Sequence, residues 1–246
     1  MNNLFFSFLI TTLAGFSTLL GTFSIFLNKK RREKIIYCSL IFSSSIMIFI
    51  SVFDLIPSSF NYLNSIYEII PSLIIDIIFI LFGFIFIASI NKLFKSENTL
   101  YKVGIISMIA LIIHNIPEGI ITFLSTTKDI KLGISLAISI ALHNIPEGIS
   151  IFVPLYYGSK NKRKAFLYTF IAGFSELFGA ILSWLFLSNV VNDYFFSFLF
   201  ATTSGIMIYI AVCELLPESF NYKSKKELIL FFVLGIIIML ISEIFL

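Results

Sequence analysis

The stretch "LIIHNIPEGIITF", residues 111–123, returns as "ALHNIPEGISIF" at residues 141–152, so the seven letters HNIPEGI stand twice in the chain, 29 residues apart. Each copy lies inside a long apolar run. An ionisable side chain at the centre of a bilayer costs roughly 2.5–3.5 kcal/mol on insertion scales unless it faces partners. Whether those runs cross a membrane therefore decides both the fold and the meaning of the repeat.

Composition says that they do. Of 246 residues, 58% are hydrophobic and 13% are charged, with a mean hydropathy of +1.00. Soluble chains use about 25% charged residues, so this one has too little polar surface to cover its Phe, Ile and Leu in water. A spanning helix needs about 20 mainly apolar residues. Eight such runs are present, near 4–27, 35–56, 69–90, 103–124, 132–156, 165–187, 194–216 and 228–246. The first is expected to stay as a helix, because "MNNLFF" has no basic region like that of a signal peptide. The expectation is an all-α integral membrane protein of eight transmembrane helices, forming one domain over residues 1–246, with loops near 57–68 and 217–227.

Positive charge orients such a bundle, because cytoplasmic loops collect Lys and Arg. Alternate loops, at 29–34, 92–102, 160–164 and 223–226, hold 15 of the 17 basic residues, and only Lys128 and Lys131 lie elsewhere. With eight spans, this places both termini outside and those four loops in the cytoplasm of a cell membrane. The net charge of +3 reports topology. The partner it implies is the lipid bilayer, with some attraction for anionic lipid and no nucleic acid. Cys38 and Cys213 have no paired spacing and read as packing residues. Monomer and homodimer are both open.

Self-comparison extends the repeat. "IMIFISVFDLIPSSFNY" at 46–62 matches "IMIYIAVCELLPESFNY" at 206–222 at 11 of 17 positions, and "AGFSTLLG" at 14–21 matches "AGFSELFG" at 172–179. These offsets pair span 1 with span 6, span 2 with span 7 and, by extension, span 3 with span 8. Paired spans run in opposite directions, as do spans 4 and 5, which carry HNIPEGI. Inverted repeats of this kind mark secondary transporters, whose sites lie near the midplane.

His114, His143 and Glu176 all fall near the middle of their runs. His114 and Glu118 are four residues apart, as are His143 and Glu147, so each pair shares a helix face and can converge on one ion. Pro117 and Pro146 lack the helical N–H and crowd the carbonyls of Ile113 and Leu142, which predicts a kink or broken turn at each. Imidazole nitrogen with carboxylate oxygen suits Zn²⁺, Fe²⁺, Mn²⁺, Co²⁺ and similar ions. Asn115, Asn144 and Glu176 add oxygen enough for a second ion, although Glu176 also fits an inter-helix hydrogen bond. Asp54 and Glu214 occupy matching positions of the repeat near opposite mouths. They flank a pathway or simply reach water. Asp76 reads as a packing group, and Glu68 and Glu243 lie toward the outer surface.

The three strings "LIIHNIPEGIITF", "ALHNIPEGISIFVPLY" and "AGFSELFGAILSW", with "FDLIP" and "CELLP", resemble the ZIP (Zrt/Irt-like) family of divalent-metal transporters, most closely its bacterial ZupT-type branch. The resemblance implies a 3+2+3 arrangement in which helices 4 and 5 lie between two inverted three-helix units. It implies that His114, Glu118, His143 and Glu147 form the primary metal site, with Asn115, Asn144 and Glu176 beside it as a second. Many members have Asp where this chain has Asn144, so a second ion meets less negative charge here. The His-rich loop common in the family is missing, for residues 91–102 contain no histidine.

The expected function is uptake of zinc, with iron, manganese, cobalt and cadmium as further ions, by alternating access. The metal is then cargo, Zn²⁺ or Fe²⁺, and the protein is not an enzyme. The alternative is an intramembrane zinc hydrolase using the same cluster. It lacks an H-E-x-x-H string and a spare general base, and the repeat has no role in it.

Overall fold

The computed structural model describes residues 2–26, 32–94, 96–187 and 192–242. All secondary structure in them is helical. Eight rods follow one another: α1 (Asn3–Ser24), α2 (Glu33–Asn64), α3 (Ile69–Leu93), α4 (Thr99–Lys128), α5 (Ile130–Ser159), α6 (Lys162–Phe186), α7 (Asp193–Ser219) and α8 (Lys225–Ser242). The first seven are long and apolar enough to cross a membrane. α8 has 18 residues, opening on Lys225, Lys226 and Glu227, and Glu243 lies outside the described residues. Ile70, Ile74, Ile78, Leu81 and Ile85 of α3 are more than half exposed, which marks a face built for lipid. The chain is a multi-pass membrane protein.

Helix starts follow from short polar side chains that accept the first free backbone N–H groups. Asn98, Asn161 and Asn192 cap α4, α6 and α7 at 2.9–3.1 Å. Asp129 ends α4 and caps α5 by accepting from Lys131 N at 2.8 Å. A single residue thus joins two antiparallel helices. His114 lies 15 residues before this joint and His143 lies 14 after it, so at 1.5 Å per residue both reach one depth.

The helix ends gather as the antiparallel order requires. At the basic end, Asn98 Nδ2 donates to the Gly158 carbonyl at 3.0 Å, and Lys164 Nζ sits 4.7 Å from the Tyr101 ring centre. Lys34 of α2 pairs with Glu227 of α8 at 2.6 Å. Tyr222, in the turn before α8, donates to Glu227 Oε2, which pushes its hydroxyl pKa up to about 12. At the opposite end, Ser65 donates to Asp193 Oδ2 at 3.2 Å.

At the prolines one expectation is narrowed and another corrected. α4 and α5 run helical through Pro117 and Pro146 without a broken turn. Departures from regular α-helix lie elsewhere: α1 tightens to a 3-10 helix from Thr18, α6 ends in a π turn at Ser183–Leu187, and α2 and α7 widen ahead of a proline. Residues Ser51–Leu55 and Ile210–Leu215 form wide π turns, with Ile56 N–H bonded to the Ser51 carbonyl and Leu216 N–H to that of Ala211. Pro57 and Pro217 follow directly, and an extra residue in the turn accommodates a missing N–H and a crowded carbonyl without ending the helix. α2 therefore continues to Asn64 where a loop from residue 57 was expected, and α7 to Ser219.

α4 and α5 pack along each other at the centre, with α6 on α4 and α1 on α5. α3 lies along α7, and α8 along α2. Exchanging α1 with α6, α2 with α7, α3 with α8 and α4 with α5 leaves this pattern of neighbours in place. The seams repeat to the atom. A Cβ on Gly119 would collide with the Glu176 carbonyl of α6, and one on Gly148 with the Thr18 carbonyl of α1. Thr18 and Glu176 are the matching letters of AGFSTLLG and AGFSELFG.

Candidate metal centre

The antiparallel α4–α5 pair brings the two HNIPEGI copies face to face. His114 Nε2 lies 3.1 Å from Glu118 Oε1 one turn away, and His143 Nε2 lies 3.1 Å from the same oxygen. Glu147 Oε1 is 3.7 Å from His114 Nε2. Four ligands about 2.1 Å from a tetrahedral metal stand roughly 3.4 Å from one another. The observed spacings bracket that edge. His114, Glu118 and His143 are the one group of three such residues within 4.8 Å among those described.

The cluster is buried and under-bonded. His114 is 1% exposed, and Glu147 and Glu176 are 0% exposed. Among the described residues, nine of the seventeen buried side-chain polar atoms without a hydrogen-bond partner belong to His114, Asn115, Glu118, His143, Asn144, Glu147 and Glu176. Both Glu147 oxygens are among them. His114 Nε2 is close to Glu118 without a hydrogen bond's alignment. Buried polar groups are nearly always paired. Polar atoms left unpartnered in this number on three neighbouring helices, carboxylate and amide oxygens most of them, fit a cation and have no use in packing alone.

The second letters of the motif have a role of their own. Asn115 Nδ2 donates to the Ala172 carbonyl of α6 at 3.1 Å, and Asn144 Nδ2 to the Ala14 carbonyl of α1 at 3.1 Å. Ala14 and Ala172 match in the repeat. Each amide thus clamps a neighbouring helix and keeps its oxygen unpartnered. Symmetry breaks at one atom. Asn144 Nδ2 also donates to Glu176 Oε2 at 3.0 Å, whereas Thr18 stands at the matching place on α1. Glu176 therefore makes the inter-helix hydrogen bond open from its sequence and retains one free oxygen.

A cavity of about 290 Å³ leads from Glu118 and His143 past Ser139 and Ser58 to Asp54 and Tyr62, toward the end that carries the α4–α5 joint. Asp54 thus shares a space with the cluster. Glu214 lies at the basic end, bonded to Asn91 of α3. A larger cleft of about 440 Å³, between α2, α5 and α8, has nearly all-apolar walls and none of the cluster residues. Asp76 accepts from Ser59 at 2.5 Å between α3 and α2, the packing role expected of it. Glu68 is exposed. The serines of the cavity and Asn91 escaped sequence reading. Asn91 had one signal, a lone amide in the last turn of an apolar helix.

Residues 95–243 match the family described as ZIP Zinc transporter. The chain is 35% identical to the zinc transporter ZupT of Clostridium perfringens over 274 aligned positions, which cover 98% of this chain and 96% of that protein. It is 34% identical to the zinc transporter ZupT of Streptococcus mutans, over 98% and 97% of the two chains. For the zinc transporter ZupT of Campylobacter jejuni the figures are 31%, 97% and 96%.

Proposed function

Because the chain belongs to the ZIP zinc transporter family, we propose that a divalent ion crosses it through the cavity beside Asp54 and is held midway by His114, Glu118, His143 and Glu147. The protein is a transporter for uptake of divalent metal, zinc foremost, and not an enzyme. The carrying observation is Glu118 Oε1, 3.1 Å from the Nε2 atoms of two histidines on opposed helices. Iron, manganese, cobalt and cadmium offer similar bonding to the same donors.

Glu176 Oε1 and the free oxygens of Asn115 and Asn144 form the second, weaker position. Helices α1–α3 and α6–α8 form the inverted units of a 3+2+3 arrangement around α4 and α5, a reading supported by the exchange pattern of neighbours and by the matched seams. The excess of Lys and Arg in the segments 29–34, 92–102, 160–164 and 223–226 supports an orientation with the basic end in the cytoplasm and both termini outside. The cavity then faces outward. Alternating access closes it and opens the basic end.

The decisive experiment is zinc flux into sealed proteoliposomes, with no substrate turned over. Flux is expected for the wild type and lost in both His143→Ala and Glu147→Ala; full flux in both variants would sink the assignment. Protons compete with metal for the imidazole lone pairs, so acidification on the cavity side lowers uptake. A rate that rises on acidification is the contrary result.

Asp54 and Glu214 act on passage. Asp54→Asn and Glu214→Gln slow flux severalfold while the zinc dissociation constant, measured by titration, stays within about twofold, because neither is among the four ligands. Unchanged flux in both returns them to the role of carboxylates that merely reach water.

A further inference from the structure

The two mouths of the repeat differ, and the difference lies on α3. Asp54 stands in the open cavity, with the Ser58 hydroxyl 3.4 Å away. Its counterpart Glu214 is held by another helix. Asn91 Nδ2 donates to Glu214 Oε1 and also lies 2.6 Å from the Tyr209 hydroxyl. Asn91 is 7% exposed. Tyr209 and Glu214 are five residues apart, about 140° out of line on a regular α-helix. The wide turn at Ile210–Leu215 lies between them and lets both groups meet one amide.

The route from the cluster toward that end is filled. Ile106, Ala110, Ile151 and Ile210 are buried together in the apolar core. Ser107, seven residues before His114 and so on the same helix face, is fully buried with its hydroxyl unpartnered. It is about 10 Å from the cluster's level toward the shut mouth.

We infer that Asn91 and Tyr209 are positioning residues for Glu214: by holding its carboxylate against α3 they keep the basic-end mouth shut while the Asp54 mouth is open. The inference rests on the transporter reading. Release of the amide frees the carboxylate to turn toward the passage and lets α7 part from the core.

Ser107 supplies the probe. Ser107→Cys is made in a background with Cys38→Ala and Cys213→Ala, and the protein is treated in liposomes with a membrane-impermeant thiol reagent from the basic end. Adding Asn91→Ala is expected to speed labelling by about tenfold or more, the factor a hydrogen bond to a charged group carries in a two-state equilibrium. Glu214→Gln keeps an oxygen that accepts from Asn91 and should leave labelling slow; Tyr209→Phe should give an intermediate rate. Equal labelling rates in the parent and in Asn91→Ala, with zinc binding intact in both, overturn the latch. Absence of zinc flux in the wild type is a separate result that overturns the transporter reading alone.

Discussion

Glu118→Ala is expected to eliminate zinc uptake and to weaken zinc binding by more than about 100-fold. Residues that only support a ligand typically cost 10–100-fold when removed, and Glu118 is central to the proposed ligands themselves. Its Oε1 is the one atom 3.1 Å from both imidazole Nε2 atoms, one on α4 and one on α5. Without it, two buried imidazoles face each other with Glu147 as the remaining carboxylate of the four. Glu118→Gln keeps the shape and an oxygen but loses the charge, and falls between the alanine variant and the wild type. Zinc titration in detergent and flux in proteoliposomes measure both. Wild-type affinity in a correctly folded Glu118→Ala protein would mean that the ion binds elsewhere.

Gly119→Ala produces the second large effect, on folding. The added methyl would meet the Glu176 carbonyl and Cα, which are backbone atoms that cannot turn aside. α4 must then withdraw from α6. The same seam holds the Asn115–Ala172 hydrogen bond and the close approach of Gly179 to the Ile116 carbonyl, so these fail together. Overpacking of a tight core costs about 1–3 kcal/mol, and the upper figure lowers the melting temperature by about 10 °C in a chain of this size. Gly148→Ala, against Thr18 of α1, is expected to do the same. Thermal unfolding in detergent tests the pair. Wild-type melting in both would show that these helices do not meet at their glycines.

Much of this was legible before any coordinate. Hydropathy marked eight runs because the cost of burying backbone polar groups in lipid leaves few solutions besides helices. The duplicated HNIPEGI located the centre of the site, since His and Glu four apart must share a face. The letters AGFS and FNY exposed the repeat. Prolines were the least legible residues. Pro117 and Pro146 sit in helices that run on without a broken turn, whereas Pro57 and Pro217 sit where a loop was expected and a widened turn carries the helix on. One residue type has several local remedies, and neighbouring helices choose among them.

The sequence by itself determined which segments form long apolar helices, which helix ends share a side and which side chains fall near the middle of their helices, because each follows from one-dimensional periodicity and from the positions of charge. Only the tertiary structure decided what the second letter of the motif does. Asn115 and Asn144 spend their N–H groups on Ala172 and Ala14, partners 57 and 130 residues away. It also decided that Asp54 shares a cavity with the cluster while Glu214 is tied to Asn91, 123 residues off. Hydrogen bonds between helices depend on where two backbones cross, and no local pattern in the chain encodes that distance.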